Sequence, residues 1–245
     1  MRVAIHHETV YRYPAPSTYS IAYLRLTPSN ASNQRVVSWK VKAQGNLRAW
    51  SDAYGNSAHV LVLEGPHDEV RITAIGEIEI ADSGRPLLSD AEPNVPEVFL
   101  RATTLTAQTE AVQAVAQTQA GLYAESPRKA LDALAGGLRQ QDAQAAEDRL
   151  HLFLAAARYL GAPARVVSGY LCEADKDSIV PHAWAEAWIE GAGWISFDIV
   201  PRPSNATALV RLAVGMDILD TLPVRQQRRD AEFSVDISNP LKPCA

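Results

Sequence analysis

The residues of this chain best suited to chemistry are His182 and Asp198. They stand on two runs with strand character, His182-Ala183-Trp184-Ala185-Glu186-Ala187-Trp188 and Trp194-Ile195-Ser196-Phe197-Asp198, joined by the turn Gly191-Ala192-Gly193. In an antiparallel hairpin such a carboxylate can accept the imidazole N–H, fix its tautomer and stabilise the imidazolium. That is the acid–base half of a nucleophilic site. The other half would be a cysteine at a helix N-terminus facing the histidine, where the helix dipole lowers the thiol pKa. A satisfied structural histidine is the commoner reason for such a pair, and the spacing alone leaves both readings open.

The elements that must hold these groups can be read from periodicity. A helix is expected over 146–160, with Glu147 and Asp148 suiting its N-terminus and Leu150, Phe153, Leu154, Ala157 and Leu160 on one face. Gly161-Ala162-Pro163 stops it, and a strand over 165–171 follows. Two earlier helices are expected over 106–120 and 126–140, the second opened by Ser126-Pro127. The first eighty residues instead show strand periods over 10–13, 19–27, 36–41, 58–63 and 69–80, parted by turn signals at Tyr13-Pro14, Pro28-Ser29-Asn30, Gln44-Gly45-Asn46 and Tyr54-Gly55-Asn56. A last strand is expected over 232–237. The order points to an α+β protein: an N-terminal antiparallel, β-sandwich-like domain over 1–82, a linker over 83–96, a core over 97–238 and a tail over 239–245.

Three motifs then carry a resemblance. Glu147-Asp148-Arg149-Leu150-His151 through Ala164-Arg165-Val166-Val167-Ser168-Gly169-Tyr170-Leu171, with His182-Ala183-Trp184-Ala185-Glu186 and Gly193-Trp194-Ile195-Ser196-Phe197-Asp198, resembles the core of the bacterial transglutaminase-like family. Thr9-Val10-Tyr11-Arg12-Tyr13, Leu24-Arg25-Leu26-Thr27-Pro28 and Asp52-Ala53-Tyr54-Gly55-Asn56 resemble its N-terminal β region, and Val210 to Asp217 also fits. The resemblance implies a papain/transglutaminase-like core, a helix bundle packed on an antiparallel sheet. It implies a cysteine acyltransferase or amidase acting on a peptide or glutamine-type amide, without cofactor or metal. It also implies His182 and Asp198 as catalytic residues. Proteins of an ATP-grasp peptide-ligase system are candidate partners by the same association.

The family places its nucleophile in a Gly-x-Cys-x-Asp motif at the start of the helix. With Asp148 as that aspartate, the cysteine position is Ala146 and the glycine position is Gln144. The residues after it, Arg149 and Leu150, also depart from the family pattern, as does Ile199-Val200-Pro201 after Asp198. No Ser, Thr or Cys occurs between 139 and 150 to substitute. Two readings follow: an enzyme whose nucleophile has been exchanged for alanine, or a natural non-catalytic homologue that serves as a peptide-binding module or complex subunit.

Other candidates have plainer explanations. Trp184 and Tyr170 are candidate substrate-binding side chains, although aromatic stripes on strands are more often core. Cys172 reads as a small buried residue, and Cys244 lies in a terminal tail. His6 and His7 point to opposite faces of a strand, which disfavours a shared metal. His59 and His67 fall near expected turns and read as surface residues, His151 as a packing residue, and Asp52 to Asn56 as a tight turn. The chain has 245 residues, 47% hydrophobic, with a net charge of −5 and two cysteines. That balance disfavours nucleic-acid or membrane surfaces and a disulfide scaffold, and no secretory signal is recognisable. A cytoplasmic location is the expectation.

Overall fold

The computed structural model describes residues 1–81, 94–140, 145–173, 179–199, 206–228 and 236–237. Four strands come first: β1 (Arg2–Leu24), β2 (Gln34–Ala43), β3 (Asn46–Ser51) and β4 (Ser57–Ile80). The helices α1 (Glu110–Gln117), α2 (Ala120–Glu125), α3 (Pro127–Arg139) and α4 (Ala146–Tyr159) follow. Then come β5 (Ala164–Glu173), β6 (Ile179–Ile189), β7 (Gly193–Phe197), β8 (Ala206–Gly215), β9 (Val224–Arg228) and β10 (Asp236–Ile237). The strands form two antiparallel sheets. One has the order β10-β9-β1-β4-β2 with β3 also on β4, and the other has the order β7-β6-β5-β8.

β1 is one strand where the sequence suggested two. Tyr13-Pro14 acts as an irregularity rather than a turn: the pairing with β4 shifts register between Arg12 and Tyr19. Pro14 and Pro16 lack the N–H a ladder needs, so the strand bends there without ending. β4 likewise joins the strands expected over 58–63 and 69–80, which puts His59 and His67 inside it, where both are half-buried; His67 is hydrogen-bonded to Ser20. The helix expected over 106–120 is split. Thr104–Thr106 makes a 3-10 turn, Thr109 caps α1, and the chain breaks at Thr118, whose hydroxyl donates to the Val115 carbonyl at 2.7 Å. Pro127 opens α3 and α4 starts at Ala146, as the sequence suggests.

The first sheet does not close within the first 82 residues, because β9 pairs with β1 and β10 pairs with β9. It also shares its core with the second sheet. Leu24, Leu61, Ile72 and Ile78 pack in one cluster with Tyr170 and Cys172 of β5 and with Val210 and Leu212 of β8. The helices use another part of the second sheet: Leu150, Phe153 and Leu154 of α4 pack with Ala183, Ala185 and Ala187 of β6 and Phe197 of β7. Most of the expected linker, and all of the expected tail, Gln144 and Cys244, lie outside the described residues.

Two amide side chains tie the first sheet to the outer edge of β8. Asn56 accepts from Val214 N–H and donates to its carbonyl, both at 2.8 Å. Gln34 does the same to Arg211, at 2.8 and 3.0 Å. Each amide therefore imitates one residue of a neighbouring strand. The turn Asp52 to Asn56 is thus a docking element as well as a turn. Asp52 is buried, receives Arg25 at 2.9 Å, and caps the backbone of Tyr54 and Asn56 at 3.0 Å. Among the described residues, no helix is long and apolar enough to cross a membrane.

Candidate active site

β6 alternates alanines against His182, Trp184 and Glu186, and the alanine face receives α4. Small residues allow the helix to approach closely, while the opposite face keeps its polar and aromatic groups. Phe197 pairs with Ala185, so Asp198, one residue past β7, falls beside Trp184 and diagonal to His182. The His182 Nε2 lies 3.3 Å from Asp198 Oδ1, with both groups buried. With Nε2–H given to the carboxylate, acid–base exchange falls to Nδ1.

The direction of α4 fixes where Ala146 lies. Near its C-terminal end, Arg158 Nη2 donates to the Ala164 carbonyl at 2.8 Å, and Ala164 pairs with Ala187. Midway along, the Phe153 ring lies 5.3 Å from that of Phe197, the partner of Ala185. From Phe153 back to Ala146 the helix covers about 10 Å. From Ala185 back to His182 the strand covers about 10 Å as well. Ala146, the first helical residue and half-buried, therefore stands at the His182 end of α4. Its neighbour Ala145 supplies no side-chain cap to the helix N-terminus.

Trp184 shares the His182 face. The two rings stack at 6.2 Å between centroids and 20° between planes. Tyr170 does not join them. Gly169 is the residue paired with His182, so Tyr170 points to the other face. There it is buried against the first sheet, with its hydroxyl 2.7 Å from His7 Nδ1. Cys172 lies in the same inter-sheet cluster, and burial pushes its thiol up to about 11. It is not a substitute nucleophile. His151 is buried in α4 and its Nε2 accepts from the Ile218 N–H at 3.4 Å; burial holds its pKa below the ordinary value.

A buried charge network, not foreseen from the sequence, lies under the hairpin. Arg165 reaches Glu186 Oε2 through Nε at 2.9 Å and Nη2 at 2.8 Å, and Arg211 bonds the other oxygen. The Arg165 guanidinium also lies 3.8 Å from the centre of the Trp194 ring. Burial alone would push the Glu186 carboxyl up; Arg211 and Arg165 more than reverse this and hold it below its ordinary value. The pattern Arg165…Glu186…Arg211 had no signal in periodicity, because the three come from different strands. Among the described residues, no group of three or more His, Cys, Asp or Glu side chains is placed to hold a metal ion.

Residues 3–79 match the bacterial transglutaminase-like N-terminal region, and residues 101–199 match the transglutaminase-like superfamily. The chain belongs to the bacterial transglutaminase-like family. It is 28% identical over 262 residues to the uncharacterized protein ML0607 of Mycobacterium leprae, covering 91% of this chain and 92% of that one. Its fold is similar to the crystal structure of a candidate cysteine protease from Cytophaga hutchinsonii, with a TM-score of 0.66 at 16% identity, over 98% of this chain and 94% of the other. The likeness in fold thus extends over both sheets and the helices between them.

Proposed function

We propose that this chain is a transglutaminase-like module that binds a peptide or glutamine-type amide beside His182, and that Ala146 leaves it without the acyl-transfer step. The observation that carries the reading is the placement of an alanine as the first residue of α4, at the His182 end of the helix. A methyl group cannot attack a carbonyl. In a cysteine form, the thiolate would add to the amide carbon and the C–N bond would break. His182 would supply the proton to the departing amine, and water or a second amine would release the acyl group. The intact His182–Asp198 bond supports the second reading, an acyltransferase or amidase whose nucleophile alone has been exchanged.

Ala146→Cys, made with Cys172 and Cys244 replaced by serine, tests both. A thiol at a helix N-terminus beside an oriented imidazole has a pKa of roughly 3.5–7.5 against about 8.5 for an ordinary thiol. Iodoacetamide should therefore alkylate it at pH 6 on the order of 50-fold faster than a free thiol, and His182→Ala should slow it. A glutamine-containing peptide should bind the native chain without turnover. The cysteine variant should form a thioester with loss of ammonia, read by mass spectrometry. Alkylation at the rate of an ordinary thiol, with no thioester, would remove the acyl-transfer geometry. Failure of the native chain to bind the peptide would remove the binding module.

A further inference from the structure

The side of the first sheet turned away from its core has two unlike halves. Over the first half of β1 the outward charges are matched: Arg2 with Glu77 and Glu79, Arg12 with Glu69, and Arg71 with Glu8 and Glu69. Over the second half the pattern changes. Pairing with β9, β4 and β3 sets Arg225, Tyr23, Val60 and Arg48 in one row across four strands. Ile21 and Val62 lie in the next row on the same face, and Trp50, paired with Ala58, stands two residues from Arg48. The alternating residues Ala22, Leu24 and Leu61 point the other way, into the core. Tyr23 is 39% and Trp50 42% exposed, with their ring centres 6.2 Å apart. Arg48 and Arg225 are exposed as well, and among the described residues neither has a carboxylate within ion-pair range.

This is an aromatic surface flanked by two unmatched cations, on a chain whose net charge is −5. Exposed apolar patches rimmed by polar groups mark interaction sites, and Trp, Tyr and Arg dominate binding energy at protein interfaces. The charges say what fits. Three strand spacings part Arg225 from Arg48, about 14 Å. An extended peptide covers that distance in about four residues. Acidic side chains at its positions i and i+4 would meet the two guanidiniums, and an apolar residue at i+2, on the same side of the peptide, would lie on Tyr23 and Val60. Glu64, the one acid on these rows among the described residues, sits opposite Tyr19, about 13 Å along β4 from Val60, and leaves both arginines available. A polyanion is a poorer match, since two cations on an acidic protein neutralise few phosphates. We propose that the outward face of β9, β1, β4 and β3 is a docking surface for an extended acidic segment of a partner protein, read as acid–x–apolar–x–acid across Arg225, Tyr23, Val60 and Arg48. It goes beyond the His182 site and needs neither His182 nor position 146.

The test pans a random peptide-display library against the native chain, in parallel with Trp50→Ser and with the double variant Arg48→Ser, Arg225→Ser. These side chains are exposed, so the variants should keep the urea midpoint of the native chain. Enriched sequences should carry Asp or Glu about four residues apart with Leu, Phe, Tyr or Trp between them, and both variants should lose them. A synthetic peptide of an enriched sequence, titrated by fluorescence anisotropy, should bind each variant roughly tenfold or more weakly than the native chain. Its binding should weaken with added salt, and replacing its acids with lysine should abolish it. Arg71→Ser, which removes an arginine already paired on the same sheet, should bind as the native chain does. Should a variant not fold, a shift of the Trp50 indole signal in the native chain on adding the peptide decides the matter. No enrichment, enrichment without the acidic spacing, or enrichment that survives both variants would overturn the proposal. So would phosphatidylserine vesicles or oligothymidylate binding more tightly than the peptide and losing that binding in Trp50→Ser, or dimerisation of the native chain that Trp50→Ser abolishes.

Discussion

The hairpin of β6 and β7 and the first turn of α4 are the two halves of the proposed site and differ in how they are held. His182 and Asp198 are both buried, bonded to each other and flanked by Trp184 and the Arg165–Glu186–Arg211 network. Ala146 is the first residue of α4, preceded by an Ala145 that supplies no side-chain cap, and its side chain is one half-buried methyl group. Changing His182 or Asp198 disturbs packing and buried polar groups, whereas changing the residue at 146 alters one half-buried side chain. On the proposed reading, such a fold loses its nucleophile at little structural cost while its acid–base pair persists. On that reading the anchoring accounts for the pair being kept, and the experiment at position 146 decides the activity.

That contrast breaks most sharply at Glu186. Glu186→Gln leaves Arg165 and Arg211 without their shared carboxylate, and unfolding in urea should show a loss of about 3–5 kcal/mol. Because the Glu186 carboxyl is held below its ordinary value, its contribution is present above the usual carboxylate range and is lost as pH falls through the lowered value. The difference between native and variant should therefore stay constant from pH 7 to pH 5 and shrink only in stronger acid. A difference already shrinking at pH 6 would mean that the network is not what holds the hairpin.

Asn56→Ala probes the outside of the same sheet. It strips both backbone partners from Val214, with an expected loss of about 1–3 kcal/mol and faster amide exchange at Val214. Proton exchange at the His182 ring, followed by NMR, should not change; if it does, β8 and the hairpin are coupled more tightly than the comparison holds. The smallest effect belongs to Arg71→Ala. Arg71 pairs with Glu8 and Glu69 on the solvent side of the first sheet, and its loss should leave the urea midpoint unmoved.

What the sequence disclosed depended on whether the determining contacts were local. The α4 boundaries follow from acids in the first turn and Gly161 after the last, and the His182–Asp198 approach follows from one short hairpin. The return of β9 to β1 leaves no such trace, since it joins segments separated by the whole core. Tyr170 was legible as an aromatic on a strand, but which face it occupied depended on the pairing of Gly169 with His182. Asn56 sat in a plain turn motif, and only the position of β8 reveals its second role. The helical stretch at 106–120 had the right composition but divided at Thr118, where a hydroxyl competes for a helix carbonyl.

The two amides on β8 have a consequence for handling the molecule. β8 is the end strand of its sheet, and an uncovered end strand is a template for edge-to-edge aggregation. Gln34 and Asn56 occupy its backbone groups at Arg211 and Val214, and the first sheet covers Val210 and Leu212. A fragment cut to retain only the helices and the second sheet would bare that edge together with Tyr170 and Cys172. The N-terminal sheet is in this sense an intramolecular chaperone for its own core, and domain-swapped or polymeric species are the expected products of separating them.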